Sequence, residues 1–327
     1  MKYILIILFS FFTLSKLFAQ GPYAPAVGNE GCAAIHKDSA VFEAWATHCN
    51  LQRGWQNIAD TSLGKPTIGD SLSATGFSMA NGLVSLGDGG TATLAFNGYI
   101  YNDSGADFAV FENSFDGMFL ELAFVEISSD GINFFRFDAV SLTPNTVQLD
   151  NNAQMDATYI HNLAGKYRAG YGTPFDLVEL DGISGLDISQ ITHVRIIDVV
   201  GSINPLFGTY DSQSNIINDP YPTPFTQGGF DLDAIGVIHF STTSIEEQLE
   251  SQFNIYPNPF NEVLTIQNSD NSLITYQLSD VYGKVLASET TQTSNFQLPT
   301  SNFSKGIYFL TITKDNKRFT KKLIKTN

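Results

Sequence analysis

Only two cysteines, Cys32 and Cys49, occur in 327 residues, which leaves no room for a disulfide-dense scaffold or a cysteine-rich metal fold. Basic residues are also scarce, 17 Lys and Arg against 33 Asp and Glu, giving a net charge of −16. The imbalance is uneven: from Phe253 onward eight basic residues face five acidic ones, whereas residues 20–252 hold seven basic and 28 acidic. An acidic field of that size repels nucleic acid and anionic lipid and excludes both as partners. Past the N-terminus no run is long and apolar enough to suggest a transmembrane segment. The five histidines are scattered, with no HExxH or other zinc spacing. Helical periodicity is almost absent, which argues against bundles and α/β folds.

What is present begins with MKYILIILFSFFTLSKLFAQ, an early Lys2, a short apolar run and a small residue at Ala19. This pattern predicts a signal peptide over 1–19, cleaved after about Ala19. In an exported protein, Cys32 and Cys49 are close enough to be expected as one disulfide. Residues 21–82 are turn-rich. The pattern then sharpens into LVSLGDGGTATLAF, read as two strands around a turn at Asp88–Gly90. Asp107–Phe137 follows as two strand-period runs ending at Asp130-Gly131. Strand character returns at His193–Gly201 and at Phe230–Phe240. Many short strands with Gly, Asn and Asp turns predict an all-β chain, a jelly-roll-like β-sandwich over 20–240. A linker over 241–252 and a small antiparallel β-sandwich over 253–327 complete the expected organisation.

Acids on the loops of an exported sandwich raise calcium, which takes six to eight oxygen ligands. Asp231 and Asp233 are two apart on the closing strand and are expected to point the same way, with Glu112 and Asn113 at the end of an earlier strand as their partners. Asp211, Gln213, Asn215 and Asp219 form a second oxygen ladder without the Gly and terminal Glu of an EF-hand loop. For a glycan ligand, aromatic rings are the requirement. Tyr167, Arg168 and Tyr171 in a glycine-rich loop, and Tyr210 and Tyr221 in a long late loop, are the candidates. Catalysis has less support. Glu121 and Glu126 are candidate paired carboxylates but fall on opposite faces of one predicted strand, and Gly76–Ala80 only partly matches a nucleophile elbow.

VEISSDGINFFRF resembles the strand and hairpin that recur in galactose-binding-like jelly rolls, a family that includes discoidin-type and carbohydrate-binding modules. The wider set DFAVFENSF, NLAGKYRAGYGTPFDL, HVRIIDVVGS and GGFDLDAIGVI resembles a domain of exported bacterial surface proteins, a likeness that implies no activity. The tail is more specific. YPNP at Tyr256–Pro259, DVYGK at Asp280–Lys284, KGIYFL at Lys305–Leu310 and the terminal KKLIK together resemble the type A C-terminal sorting domain of type IX secretion cargo. That resemblance implies that the outer-membrane secretion machinery reads the tail, and that the protein is released or attached at the cell surface. The expected function is a secreted or surface binding module for glycan with Ca²⁺ support. A hydrolase of glycan or peptide and a structural or adhesive surface protein are the alternatives.

Overall fold

The computed structural model describes residues 21–242, 249–250, 252–268, 271–314 and 317–326; the signal segment and most of the expected linker lie outside them. The chain is all-β, and it divides into two compact units. One comprises the described residues up to Phe96 together with Ile100–His239; the other takes Asn97–Tyr99 and the described residues from Phe240 on.

The N-terminal unit is a β-sandwich. Its first sheet contains β1 (Ile35–His36), β2 (Ala44–Trp45), β4 (Val84–Ser85), β6 (Phe108–Glu112), β12 (Tyr171–Phe175) and β14 (Asp231–Val237), in the order β1-β12-β6-β14-β2 with β4 also on β14. The second contains β3 (His48–Gln52), β5 (Thr91–Ile100), β7 (Ala123–Ser128), β8 (Phe135–Arg136), β11 (Leu163–Ala164) and β13 (Ile191–Asp198). Its order is β11-β7-β13-β5, with β8 on β7 and β3 on β5. β9 (Val140–Ser141) and β10 (Ile160–His161) pair separately.

Every residue of β6 and β14 is buried, so both strands are covered on both faces. On one face of β6, Phe108 stacks on Phe175 at 5.3 Å and meets Phe137 at 6.1 Å. On the other, Ala109 and Phe111 pack with Ala234 under Phe42 and Trp45. The turn-rich segment before Gly82 therefore forms a second covering layer.

Of the two expected turns, one is a hairpin and the other is not. Asp130-Gly131 lies in the β7–β8 hairpin, where the Asp130 carboxylate accepts from the amides of Ile132 and Asn133, both at 2.8 Å. The turn at Asp88–Gly90 does not close a hairpin: β4 pairs with β14 in the first sheet and β5 with β13 in the second, so the chain changes sheets there. Positive φ at Gly87 (74°) and Gly89 (70°) permits that crossing, and period-two patterning is blind to it.

The expected Cys32–Cys49 disulfide is also corrected, since both are free thiols. Cys49 is held in β3 opposite Leu94 of β5, whereas Cys32 lies in a turn beside Tyr167, so spacing in sequence did not become proximity. Burial pushes the Cys49 thiol up to about 11. Two thiols per unfolded chain are expected with Ellman's reagent, unchanged by prior reduction, with slow reaction at Cys49 in the native protein. A gain of two thiols on reduction would restore the disulfide.

The C-terminal unit has a three-stranded sheet of Phe253–Tyr256, Val263–Asn268 and Asn295–Pro299. Its four-stranded sheet orders Val285–Thr291, Ile274–Asp280, Gly306–Lys314 and Lys317–Lys325. Phe260, Leu264, Ile266, Leu278, Leu310, Ile312 and Leu323 form its core. Leu249, placed in the linker from sequence, is buried in that core, and Glu250 accepts from Lys321 Nζ at 2.7 Å. The four tail motifs have local roles. Asp280 Oδ1 accepts from the amides of Tyr282 and Lys284, closing the DVYGK turn, and Asn258 of YPNP accepts from the Ile324 amide at 2.9 Å. KGIYFL and KKLIK lie on the paired strands Gly306–Lys314 and Lys317–Lys325.

Candidate functional site

A cavity of about 300 Å³ opens where β6 ends and β14 begins. Glu112 is the last residue of β6 and pairs with Leu232, next to Asp231 at the start of β14. Glu121 joins them from the segment leading into β7. Asn113, Asn151, Asn152 and Gln227 supply amides to the wall, and Phe115, Phe119 and Phe225 supply rings.

Local hydrogen bonds shape the rim. Ser114 donates its amide to Glu112 Oε2 at 2.7 Å and its hydroxyl to the carbonyls of Asp116 and Phe119. Asp116 Oδ1 accepts from the amides of Met118 and Phe119, closing the turn that presents the rings. Phe115 and Phe119 stack at 5.0 Å and 18°, and Phe115 is 77% exposed. Phe225 is 43% exposed.

The carboxylates are held under strain of charge. Glu112 is 2% exposed, and its carboxyl is raised well above the usual range by burial and by Asp231 and Asp219, against the pull of the Ser114 and Asn113 amides. Burial also raises Glu121, reinforced by Glu112, Asp231, Asp219 and Asp198. Asp231 is pushed up to about 6 by burial, while the Ser85 hydroxyl at 2.5 Å and the Arg53 charge pull the other way. Asp219, whose charge acts on both glutamates, accepts at Oδ2 from the Leu122 amide at 2.9 Å, and its Oδ1 has no partner among the described residues.

The cavity thus contains Glu112, Asn113 and Asp231 of the residues expected from sequence, but not Asp233. The register between β14 and β6 shifts between Leu232 and Ala234, a bulge that cancels the simple alternation and separates the two aspartates. Asp233 instead accepts from Ser78 Oγ at 2.5 Å and from the Met79 amide. Among the described residues no group of three or more His, Cys, Asp or Glu is placed to hold a metal ion. The Asp211 ladder is a turn organiser: its carboxylate accepts from the amides of Gln213, Asn215 and Ser141.

The tyrosines expected to bind are dispersed. Tyr167 is 2% exposed and lines a separate cavity of about 390 Å³ with Tyr23, His161 and Lys166. Tyr171 starts β12, packed between His36 and Arg168. Tyr221 is buried and donates to Asn57 Oδ1, while Tyr210 is 46% exposed. Glu126 pairs with Arg136 and Arg195, both at 2.9 Å, on the sheet surface, so only Glu121 of the carboxylate pair reaches the cavity. Phe115 and Phe119 were missed in sequence; their signal was two rings four residues apart in a turn that directly follows an acidic strand end.

Residues 254–326 match the family described as the secretion system C-terminal sorting domain. The tail is a type IX C-terminal sorting domain, so the protein is exported to the cell surface or beyond, and the tail interacts with the secretion machinery. No curated protein matches the chain. Similar solved structures include a DUF3244 family protein with an immunoglobulin-like β-sandwich fold from Bacteroides vulgatus, at 20% identity over 23% of this chain and 84% of that one, TM-score 0.21. PorZ, a surface component of the type IX secretion system of Porphyromonas gingivalis, matches at 14% identity over 29% of this chain and 14% of that one, TM-score 0.23. A β-glucuronidase from Ruminococcus gnavus matches at 10% identity over 94% of this chain and 47% of that one, TM-score 0.21. Likeness at these scores carries no function to this chain. Among the described residues no helix is long and apolar enough to cross a membrane.

Proposed function

We propose that the N-terminal unit is a glycan-binding module, delivered to the cell surface or beyond by its sorting tail, and that the cavity at the ends of β6 and β14 is its binding cleft. The observation that carries this reading is the composition of one wall: three carboxylates and four amides beside three rings, two of them stacked and one largely exposed. Carboxylates and amides accept and donate to sugar hydroxyls, and an exposed ring covers the apolar face of a pyranose. Placement at strand ends, on loops held by a rigid sandwich, suits recognition.

Phe115→Ala is expected to weaken glycan binding about tenfold, a change of about 1.4 kcal/mol, because a largely exposed ring contributes little to folding. Array binding followed by calorimetry on the strongest hit checks this; an unchanged affinity would remove the ring from the site. Calcium support through Glu112, Asn113 and Asp231 is a separate question that the same titration after EDTA treatment decides: lost affinity would require the metal, and unchanged affinity would remove it from the site.

A second reading, a glycan hydrolase, is favoured by one feature of the same cleft. Glu112 and Glu121 are biased towards the protonated form while Asp231, at about 6, is ionised near neutrality, the division of labour that acid-assisted glycoside cleavage uses. Reducing ends that accumulate with wild type and not with Glu121→Gln would decide for it.

A further inference from the structure

The cleft is one-sided in charge. Among the described residues that line it, the ionisable groups, Glu112 on β6, Asp231 on β14 and Glu121 before β7, are acids, and none is Lys, Arg or His. More acid acts on them. Asp219, with one oxygen unpartnered and the residue 4% exposed, and Asp198 at the end of β13 both act on Glu121. The base whose charge acts on Asp231 is Arg53, whose guanidinium is already committed: Nη1 donates to the Ser85 carbonyl at 2.6 Å, and Nη2 to the carbonyls of Ile68 at 2.9 Å and Gly69 at 2.5 Å. Arg53 therefore reaches Asp231 only through space. A cleft of this size with three carboxylates and no built-in cation is complementary to a ligand that brings one.

We infer that the cleft takes a saccharide carrying a free amino group, whose ammonium sits among Glu112, Glu121 and Asp231 while its ring lies against Phe115 and Phe119. The inference rests on the glycan reading above and narrows it to basic sugars. The ligand's own ammonium is preferred to a metal ion because no group of three acids is placed to grip one among the described residues. A saccharide is preferred to a lysine-rich peptide because Asn113, Asn151, Asn152 and Gln227 offer paired donors and acceptors suited to ring hydroxyls. The same geometry repels uronic and sialic acids.

Binding should also be linked to protons. An ammonium favours ionised carboxylates, so occupancy releases protons from the cleft around pH 6, where Asp231 titrates.

The test compares glucosamine tetramer, N-acetylglucosamine tetramer and a uronic acid tetramer by calorimetry on the full chain, in buffers of different ionisation enthalpy. The glucosamine tetramer is expected to bind at least tenfold tighter than the N-acetylated one near pH 6.5, with proton release, and the uronate not at all. Glu121→Gln, nearly isosteric but unable to ionise beside the ammonium, is expected to shrink that preference below threefold while both neutral and basic tetramers still bind. Equal affinity for the two tetramers would overturn the amine inference and leave the glycan reading standing. If no saccharide binds, both fall. Capture of oligolysine in preference to every saccharide would assign the cleft to basic peptide and overturn the inference, as would binding abolished by EDTA, which would assign the counter-charge to a metal.

Discussion

Raising the pH from 5 to 8 is expected to destabilise the N-terminal unit by at least about 3 kcal/mol, the reverse of the usual behaviour of a protein rich in carboxylates. The reason is that its buried acids are perturbed upward. Asp88, 4% exposed, is pushed to about 6 by burial, against the pull of the Ile58 amide. Asp231, 8% exposed, reaches a similar value for the same reason. Asp198 is raised by burial and by Asp88 and Asp219, and Asp219 by burial and Asp88, while Glu112 and Glu121 add to the set. A carboxyl raised in the fold binds its proton more tightly there than in the unfolded chain. Lowering the pH towards the unfolded value therefore stabilises the fold, and raising it through the folded value removes that stability. For Asp88 and Asp231 alone, a rise of about two units each amounts to about 1.4 kcal/mol apiece between pH 8 and 5. Spread over about 220 residues, about 3 kcal/mol corresponds to a melting temperature about 6–12 °C higher at pH 5 than at pH 8. Both tryptophans, Trp45 and Trp55, lie in this unit, and Trp55 exchanges backbone hydrogen bonds with Asp88, so fluorescence reports on this unit's unfolding. Stability should fall again at stronger acid, where Asp116 and Asp130, both lowered by backbone amides, lose those bonds. A melting temperature flat between pH 5 and 8, or higher at pH 8, would contradict the account of the buried acids.

Gly165→Val is expected to cost at least about 3 kcal/mol and to abolish ligand binding by whatever protein still folds. Gly165 has φ +82°, a conformation β-branched residues avoid, and a Cβ there would lie 1.7 Å from the Glu121 carbonyl oxygen and 3.0 Å from the Phe230 ring. Glu121 cannot yield without moving a wall of the cleft, and Phe230 is fully buried. Gly182 is the control, because its φ of +75° is similar but nothing stands within 4 Å of its Cβ position. Gly182→Ala should cost only about 1 kcal/mol and leave binding intact. Similar losses at the two positions, read by denaturant unfolding, would mean that backbone conformation and not the contact with Glu121 sets the cost.

The contrast between these glycines shows what the sequence could and could not convey. Strand periodicity exposed β5, β6, β7, β13 and β14, because each is long enough for its alternation or apolar run to register. Two-residue strands such as β1 and β2 leave no such trace, and β4, though read as a strand, was joined to the wrong neighbour because a turn that changes sheets looks like a turn that closes a hairpin. The meeting of Glu112 with Asp231 was legible in the paired ends of two acidic strands. The departure of Asp233 was not, since a bulge depends on the partner's register and not on the bulged residue. Tyr167 and Tyr221 read as loop aromatics free to bind, yet both are buried, because composition cannot tell a ring that staples a loop from one that faces solvent. Glu121 was legible as an acid and not as a wall of the cleft; that role is set by Asp219, 98 positions away, which holds the next amide. The sorting tail was the most legible part, since DVYGK closes its own turn and KGIYFL and KKLIK lie on two strands adjacent in sequence.

The central claim is that ligand recognition belongs to the cleft formed by Glu112, Glu121, Asp231 and the Phe115–Phe119 stack, and a crystal of the full chain soaked with the glucosamine tetramer tests it most directly. The account predicts a sugar ring against Phe115 and an amino nitrogen within hydrogen-bond distance of at least one of the three carboxylates. Density for the tetramer at Tyr171 or Tyr210 with this cleft empty, at a concentration that saturates binding in solution, would contradict it.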